Sequence, residues 1–377
     1  MTARSSRGLL AIVVVLIVYG SLYPFHFVPV PNYTDFLSPE PGRGGMVDFA
    51  LNLFLYMPVG FLLFERFAWA GPRLRLALSC ILGTLMSGAI ELTQGFDLTR
   101  SSSLYDIVSN GLGSLGGALL AAAIPAFSLK RKIGLRPALL AAFWILYQVY
   151  PLVPYISAAA ISRSAAGLHE WSSIAALLFA VDWFVAFALL AEALPLLRRR
   201  AAALLVLLMP VKLVVFERRL SSAEVAGALA AVVIFIVLRR VQTRTLAAVL
   251  AAMLIVRELA PFHFGPPSAF GWLPFGASLA LQDVGSVVIL LGKAFVYGSA
   301  VWFLSEAGLR LRTATLSVSV VLFALEWMQR WIPGRTPEIT DSLLALLIGA
   351  VLALASPQPP LHSSTVWSSP PQRPEAA

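Results

Sequence analysis

Four polar side chains recur at one spacing in two otherwise apolar stretches of the chain. In ELTQGFDLTRSSSLYD, Glu91 is followed by Gln94, Arg100 and Asp106 at offsets of 3, 9 and 15. In EWMQRWIPGRTPEITD, Glu326 is followed by Gln329, Arg335 and Asp341 at the same offsets. Such a set can bind a polar group or move a proton. A carboxylate and an amide three residues apart share one helix face, and an arginine in the loop that follows can grip a carboxylate or phosphate with its planar fork. An aspartate opening the next helix suits the positive end of the helix dipole. Asn110 lies one turn beyond Asp106, and Asn52 lies one turn beyond Asp48. Asp48, Asn52, Glu91, Gln94, Arg100, Asp106 and Asn110 therefore form a candidate binding pocket, with Glu326, Gln329, Arg335 and Asp341 as candidates in a further copy. A structural alternative stands beside this reading: Glu91 and Arg100 as an ion pair that orders the loop, and Asp106 as a helix N-cap.

Other chemistries find less support. No nucleophile with a base partner and no phosphate-binding glycine loop is evident. Cys80 is the single cysteine, so a disulfide framework, a paired-cysteine metal site and a haem box are all excluded. His26 and His263 share a Pro-Phe-His-Phe context but lack clustered partners. No metal and no cofactor is expected.

The elements that must position these residues are membrane helices. The 377-residue chain is 59% hydrophobic and 12% charged, where a soluble domain is nearer half apolar and a quarter charged. Apolar runs fall into three groups of four, predicting an all-α transmembrane bundle of about 12 spans, although several runs are shorter than the ~20 residues a span needs. The groups are a first four-helix unit over 1–133, a diverged second unit over 134–243 and a third over 244–356; a Pro/Ser-rich tail over 357–377 reads as disordered. Tyr23-Pro24, Tyr150-Pro151 and Ala260-Pro261 end the first, fifth and ninth runs. Arg218 and Glu224 are a weaker middle counterpart of Arg100 and Asp106, and Lys212 falls near the place expected for a glutamate. Four helices per unit make the copies parallel, unlike inverted transporter repeats. Gly111, Gly113, Gly116 and Gly117 would let a neighbouring helix approach closely.

Charge placement gives an orientation. Of 28 Lys and Arg, 18 fall in connections that are cytoplasmic if the N-terminus is inside, including Lys130, Arg131, Lys132 and Arg136 and the pair Arg239 and Arg240. This positive-inside bias explains the net charge of +9 without nucleic acid. It predicts a multi-pass membrane protein with both termini cytoplasmic and both polar sets facing outward.

The segments LNLFLYMPVGFLLF and IELTQGFDLTRSSSLYDIVSNGLGSLGGALL resemble the VanZ-like family, small polytopic bacterial membrane proteins whose namesake is associated with teicoplanin resistance. The positions carrying the resemblance are Asn52, Pro58, Gly60, Glu91, Gln94, Arg100, Asp106, Asn110 and Gly113, within residues 9–126. The third unit departs from the pattern, with Ala345 where an asparagine is expected and Lys293 in place of Asn52. The resemblance implies a cell-envelope protein with a lipid-linked or peptidoglycan-related ligand and a link to glycopeptide resistance. A membrane-embedded enzyme with Glu91 as general base, or a transporter, are the alternatives.

Overall fold

The structure is a computed structural model that describes residues 3–34, 36–37, 43–123, 134–216, 218–238, 242–276, 279 and 284–355. It is 75% helix, and no strand occurs among the described residues. Lys130, Arg131, Lys132, Arg239, Arg240 and the 357–377 tail, on which part of the orientation argument rests, lie outside the described residues.

The first four helices are α1 (Ala3–Leu22), α2 (Arg43–Arg66), α3 (Pro72–Gln94) and α4 (Leu104–Ala123). α3 starts on Pro72 at its first position, where a missing N–H costs nothing. α4 is opened by Ser103, whose hydroxyl accepts from Tyr105 N at 3.1 Å. The closest packing is between α2 and α4, and glycine makes it possible. A Cβ on Gly60 would fall 1.7 Å from the Ser114 carbonyl oxygen, and one on Gly117 1.8 Å from that of Met57. Gly113 likewise meets Leu53, whereas Gly116 has no heavy atom within 4 Å and takes no part in the seam.

The chain continues through α5 (Leu135–Val149), α6 (Ala158–Ala165), α7 (Ser173–Ala193), α8 (Ala201–Val206), α9 (Leu208–Lys212) and α10 (Ser222–Leu238). Serine side chains cap α6 and α7, Ser157 accepting from Ala160 N and Ser172 from Ala175 N. The span expected over 201–216 is instead the short pair α8 and α9, which end at Lys212; its side chain turns to an acid rather than to an apolar surface. The last helices are α11 (Thr243–Leu259), α12 (Val284–Glu306), α13 (Leu311–Gln329) and α14 (Thr340–Leu354).

Among the described residues six helices are long and apolar enough to cross a membrane: α1, α2, α3, α7, α12 and α13. α4 has 20 residues but carries Asp106, Asn110 and four glycines. The others are shorter, with 15 residues in α5 and α14 and 17 in α10 and α11.

One large core joins α5, α7 and α10 to α11–α14. At its centre the Trp144 and Trp183 rings meet edge to face at 4.6 Å, with Phe187 and Phe295 beside them. The first four helices have smaller clusters of their own, one of them around Tyr56. They meet the rest through Tyr19, whose hydroxyl donates to Pro274 O at 2.7 Å, and through Gly8, which sits against Leu354.

Three loop pairs tie helix ends together in a common way. The peptide bonds before Pro24, Pro151 and Pro261 are cis, and Phe25, Leu152 and Phe262 follow at φ of 66°, 64° and 60°. Beyond each, the chain pairs with the loop that leads to the next polar set. Val28 N donates to Phe96 O at 2.7 Å, Tyr155 N to Val214 O at 2.7 Å, and Gly265 N to Trp331 O at 2.6 Å.

Candidate functional site

The loop after α3 brings most of the predicted residues together, each with a defined partner. Glu91 is 4% exposed; its Oε2 accepts from Ser103 N at 2.8 Å, and its carbonyl accepts from the Ser102 hydroxyl at 2.7 Å. Gln94 reaches across to α1 and donates to Ser21 O at 2.8 Å. Asp106 lies in the first turn of α4 rather than at its cap, a place Ser103 fills, and its Oδ1 accepts from Asn52 Nδ2 at 2.7 Å. Asn110, a turn deeper, donates to the Ser87 hydroxyl at 2.8 Å. Asp48 is exposed one turn before Asn52. Asn52, Glu91, Asp106 and Asn110 thus sit where α2, α3 and α4 meet.

Arg100 turns to α1. Its Nε and Nη2 donate to Tyr23 O at 2.9 and 2.7 Å, and Nη2 also reaches Gly20 O at 2.9 Å. These are carbonyls at a helix end, which have no partner within the helix, and a cation there also complements the dipole. A charged donor to such a group contributes roughly 1.5–3 kcal/mol. The same contact recurs twice. Arg218 donates to Gln148 O at 3.1 Å and Tyr147 O at 2.8 Å at the end of α5. Arg335 donates to Arg257 O at 2.7 Å and Ala260 O at 2.8 Å at the end of α11. Capping therefore accounts for much of the arginine spacing noticed in the sequence.

Two features of this region escaped sequence reasoning. Tyr56 on α2, 1% exposed, lies beside Ser87 and within electrostatic reach of Glu91 and Asp106. Within its apolar run it reads as one more core aromatic; its placement four residues after Asn52 was the available signal. Asp97 organises the loop, accepting from Thr99 N at 2.9 Å, the Thr99 hydroxyl at 2.7 Å and His26 N at 3.0 Å. Burial pushes the Asp97 carboxyl up, but the donors from Thr99 and His26 outweigh it and hold it below its ordinary value. His26 therefore serves the loop through its backbone.

The second set lies between α11, α12, α13 and α14. Asp341, fully buried, accepts from Lys293 Nζ at 2.6 Å and from the Tyr297 hydroxyl at 2.8 Å. The Tyr297 oxygen also lies 3.1 Å from Glu258 Oε1, and Gln329 Nε2 donates to Glu258 at 2.7 Å. Glu326 is 2% exposed. Lys293 occupies the place of Asn52, and Tyr297 follows it by four residues as Tyr56 follows Asn52. Glu258 was not anticipated; it lies two residues before Ala260 and its cis Pro261. In the middle region, Lys212 Nζ pairs with Glu224 at 2.7 and 2.6 Å, both side chains buried. Lys212 precedes Arg218 by six residues, as Gln94 precedes Arg100, so it stands in the place of the glutamine and not of the glutamate.

Among the described residues no group of three His, Cys, Asp or Glu side chains converges to hold a metal ion. The comparison with known families bears on the first four helices. Residues 5–125 match the family model VanZ/LLP1. This segment is similar to the VanZ/LLP1 family. The match covers α1 to α4, so the cluster of Asn52, Glu91, Asp106 and Asn110 is the VanZ-like one, and the Lys293–Asp341 cluster lies beyond it. No curated protein and no solved structure matches the chain.

Proposed function

We propose that the protein is a multi-pass component of the bacterial cytoplasmic membrane whose outward-facing VanZ-like cluster engages a lipid-linked or peptidoglycan-related molecule, without catalysis, and thereby affects susceptibility to teicoplanin. The observation that carries this reading is the meeting of Asn52, Glu91 and Asp106 beneath the exposed Asp48, at the mouth of three helices. Two acids and an amide from three helices, gathered beside Asp48, offer hydrogen-bonding groups to a polar headgroup. Intramembrane polar residues are costly unless they serve such a purpose.

The proposal includes three parallel four-helix units over 1–133, 134–243 and 244–356, the middle one diverged. Support comes from the three arginine caps and the three paired loops beyond α1, α5 and α11, which recur at matching places. It also takes the shorter helices as spans. At 1.5 Å per residue, 15–17 residues reach about 22–26 Å, short of the ~30 Å hydrocarbon core, a mismatch a membrane accommodates by thinning. With the N-terminus inside, both polar sets face outward.

The test is teicoplanin susceptibility of a Gram-positive host without its own copy, comparing empty vector, wild type, Glu91→Gln and Asp106→Asn at equal membrane abundance. Wild type is expected to raise resistance and both variants to abolish it. Equal resistance in wild type and variants would reduce the cluster to scaffold. Arg100→Ala is unsuited to this purpose, because it uncaps α1 and its phenotype would report folding.

A further inference from the structure

The Lys293–Asp341 cluster borders a cavity of about 510 Å³, within the range of small-ligand sites. Its walls come from α5, α7, α11, α12 and α13, and the loop at 334–336 lies at its rim. The acids and bases of the wall differ in exposure. Asp182, Glu258 and Glu326 are enclosed, as is Asp341 beside them. The bases reach the surface: the side chains of Arg257 and Lys293 are 29% and 32% exposed, and Arg335 is half-buried. Glu338 is the part-exposed acid in the wall, so the face offered to a ligand is mainly basic.

These bases have N–H groups to spare. Arg257 pairs with Asp182 through Nη2 alone, and Lys293 meets Asp341 with one of its three N–H groups. Arg335 uses Nη2 on the carbonyls of Arg257 and Ala260. Its Nε and Nη1 have no partner among the described residues, and no carboxylate there lies within ion-pair distance of it. The three cations also stand near one another. Arg335 bonds the backbone of Arg257, and Arg257 and Lys293 both lie within electrostatic reach of Glu258. An arginine with an unused edge binds an oxyanion through two parallel bonds. Donors from α11, α12 and the loop before α14 approach from different sides, which suits the tetrahedral oxygens of a phosphate better than the two coplanar oxygens of a carboxylate.

We infer that this cavity is a binding site for a phosphate group, to which Arg335 donates, with Arg257 and Lys293 as further donors. The phosphate belongs to a free phosphate ester or to a lipid headgroup; the chemistry recognised is the same. The site lies outside the segment matched to VanZ/LLP1, and its ligand is independent of the one proposed there.

The full chain in dodecyl maltoside is titrated with inorganic phosphate by calorimetry. In a parallel arm, phosphatidylglycerol retained by the protein is counted by native mass spectrometry, with diacylglycerol for comparison. Saturable phosphate binding supports a free ligand. Retention of phosphatidylglycerol but not diacylglycerol, without phosphate binding, supports a headgroup. The three bases also hold the fold, so the first variant adds a charge rather than removing one. Thr336→Glu, exposed at the rim, sets a carboxylate beside Arg335 and is expected to weaken whichever arm responds about tenfold or more. Ser101→Glu, equally exposed one residue after Arg100, is expected to leave it unchanged. Silence in both arms, equal heat from chloride, full affinity in Thr336→Glu or an equal loss in Ser101→Glu would overturn the inference. Should Thr336→Glu fail to fold, Arg335→Lys keeps the charge and removes the fork. Weakened binding at an intact melting point then supports the site, and unchanged affinity overturns it.

Discussion

The two polar clusters share a skeleton and differ in how their helices approach. Around Asp106 the partners are an amide, hydroxyls and backbone groups, and α2 and α4 touch through glycine. Around Asp341 the partners are a lysine and a tyrosine, and a cavity opens beside them. The spacing supplies a reason. Gly60 lies eight residues after Asn52, and Val301 lies eight after Lys293. Gly113 and Gly117 lie 7 and 11 residues after Asp106, and Ile348 and Leu352 lie at those offsets from Asp341. Val301, Ile348 and Leu352 are buried, so branched side chains stand where hydrogen atoms stand between α2 and α4. Bulk fills the seam between α12 and α14, and the polar partners beside it are ions. Closeness of the backbones and character of the polar partners thus vary together.

That contrast can be broken at its strongest point. Lys293→Ala removes the cation from the fully buried Asp341, and losing one partner of such a pair costs about 3 kcal/mol, toward the lower end because the Lys293 side chain is 32% exposed. A large fall in the melting temperature of the purified protein in detergent is expected; a fall no greater than that of an ordinary surface substitution would mean that the ion pair does not hold this region together. A smaller effect is expected on the glycine seam. Gly117→Ala places a methyl group on the Met57 carbonyl and should cost about 2 kcal/mol, while Gly116→Ala, one residue away, should be harmless in the same melting assay. Similar behaviour of the two would remove close contact as the basis of the comparison. Smallest is Asn52→Ala, which deletes one donor to the Asp106 carboxylate and should cost about 1.5 kcal/mol, well below Lys293→Ala. Equal losses at the two positions would erase the distinction between an amide-held and an ion-held aspartate.

Much of this was legible in the chain. The all-helical class followed from apolar runs, and helical spacing put Asp106 and Asn110 on one face of α4; their approach to Asn52 and Glu91 on other helices was not written in any spacing. The partner of Arg100 was not legible, because it is a pair of carbonyls on α1, and carbonyls leave no mark on a sequence. Lys212 misled for a related reason: its role is set by Glu224, twelve residues on and across a loop. Tyr56 and Tyr297 were hidden among other aromatics, since only their place beside charged groups separates them from core. Span lengths were read too generously where apolar composition continued through the break between α8 and α9.

The α2–α4 seam has a mechanical consequence. Leu53 faces Gly113 and Met57 faces Gly117, so the two helices run in the same direction with carbonyls set into notches only a hydrogen atom can fill. A slip of one residue along the seam would bring Leu112 or Ala118 onto those oxygens. The pair is geared between Leu53–Gly60 and Gly113–Gly117, so along that stretch α4 cannot slide on α2 without meeting a backbone oxygen.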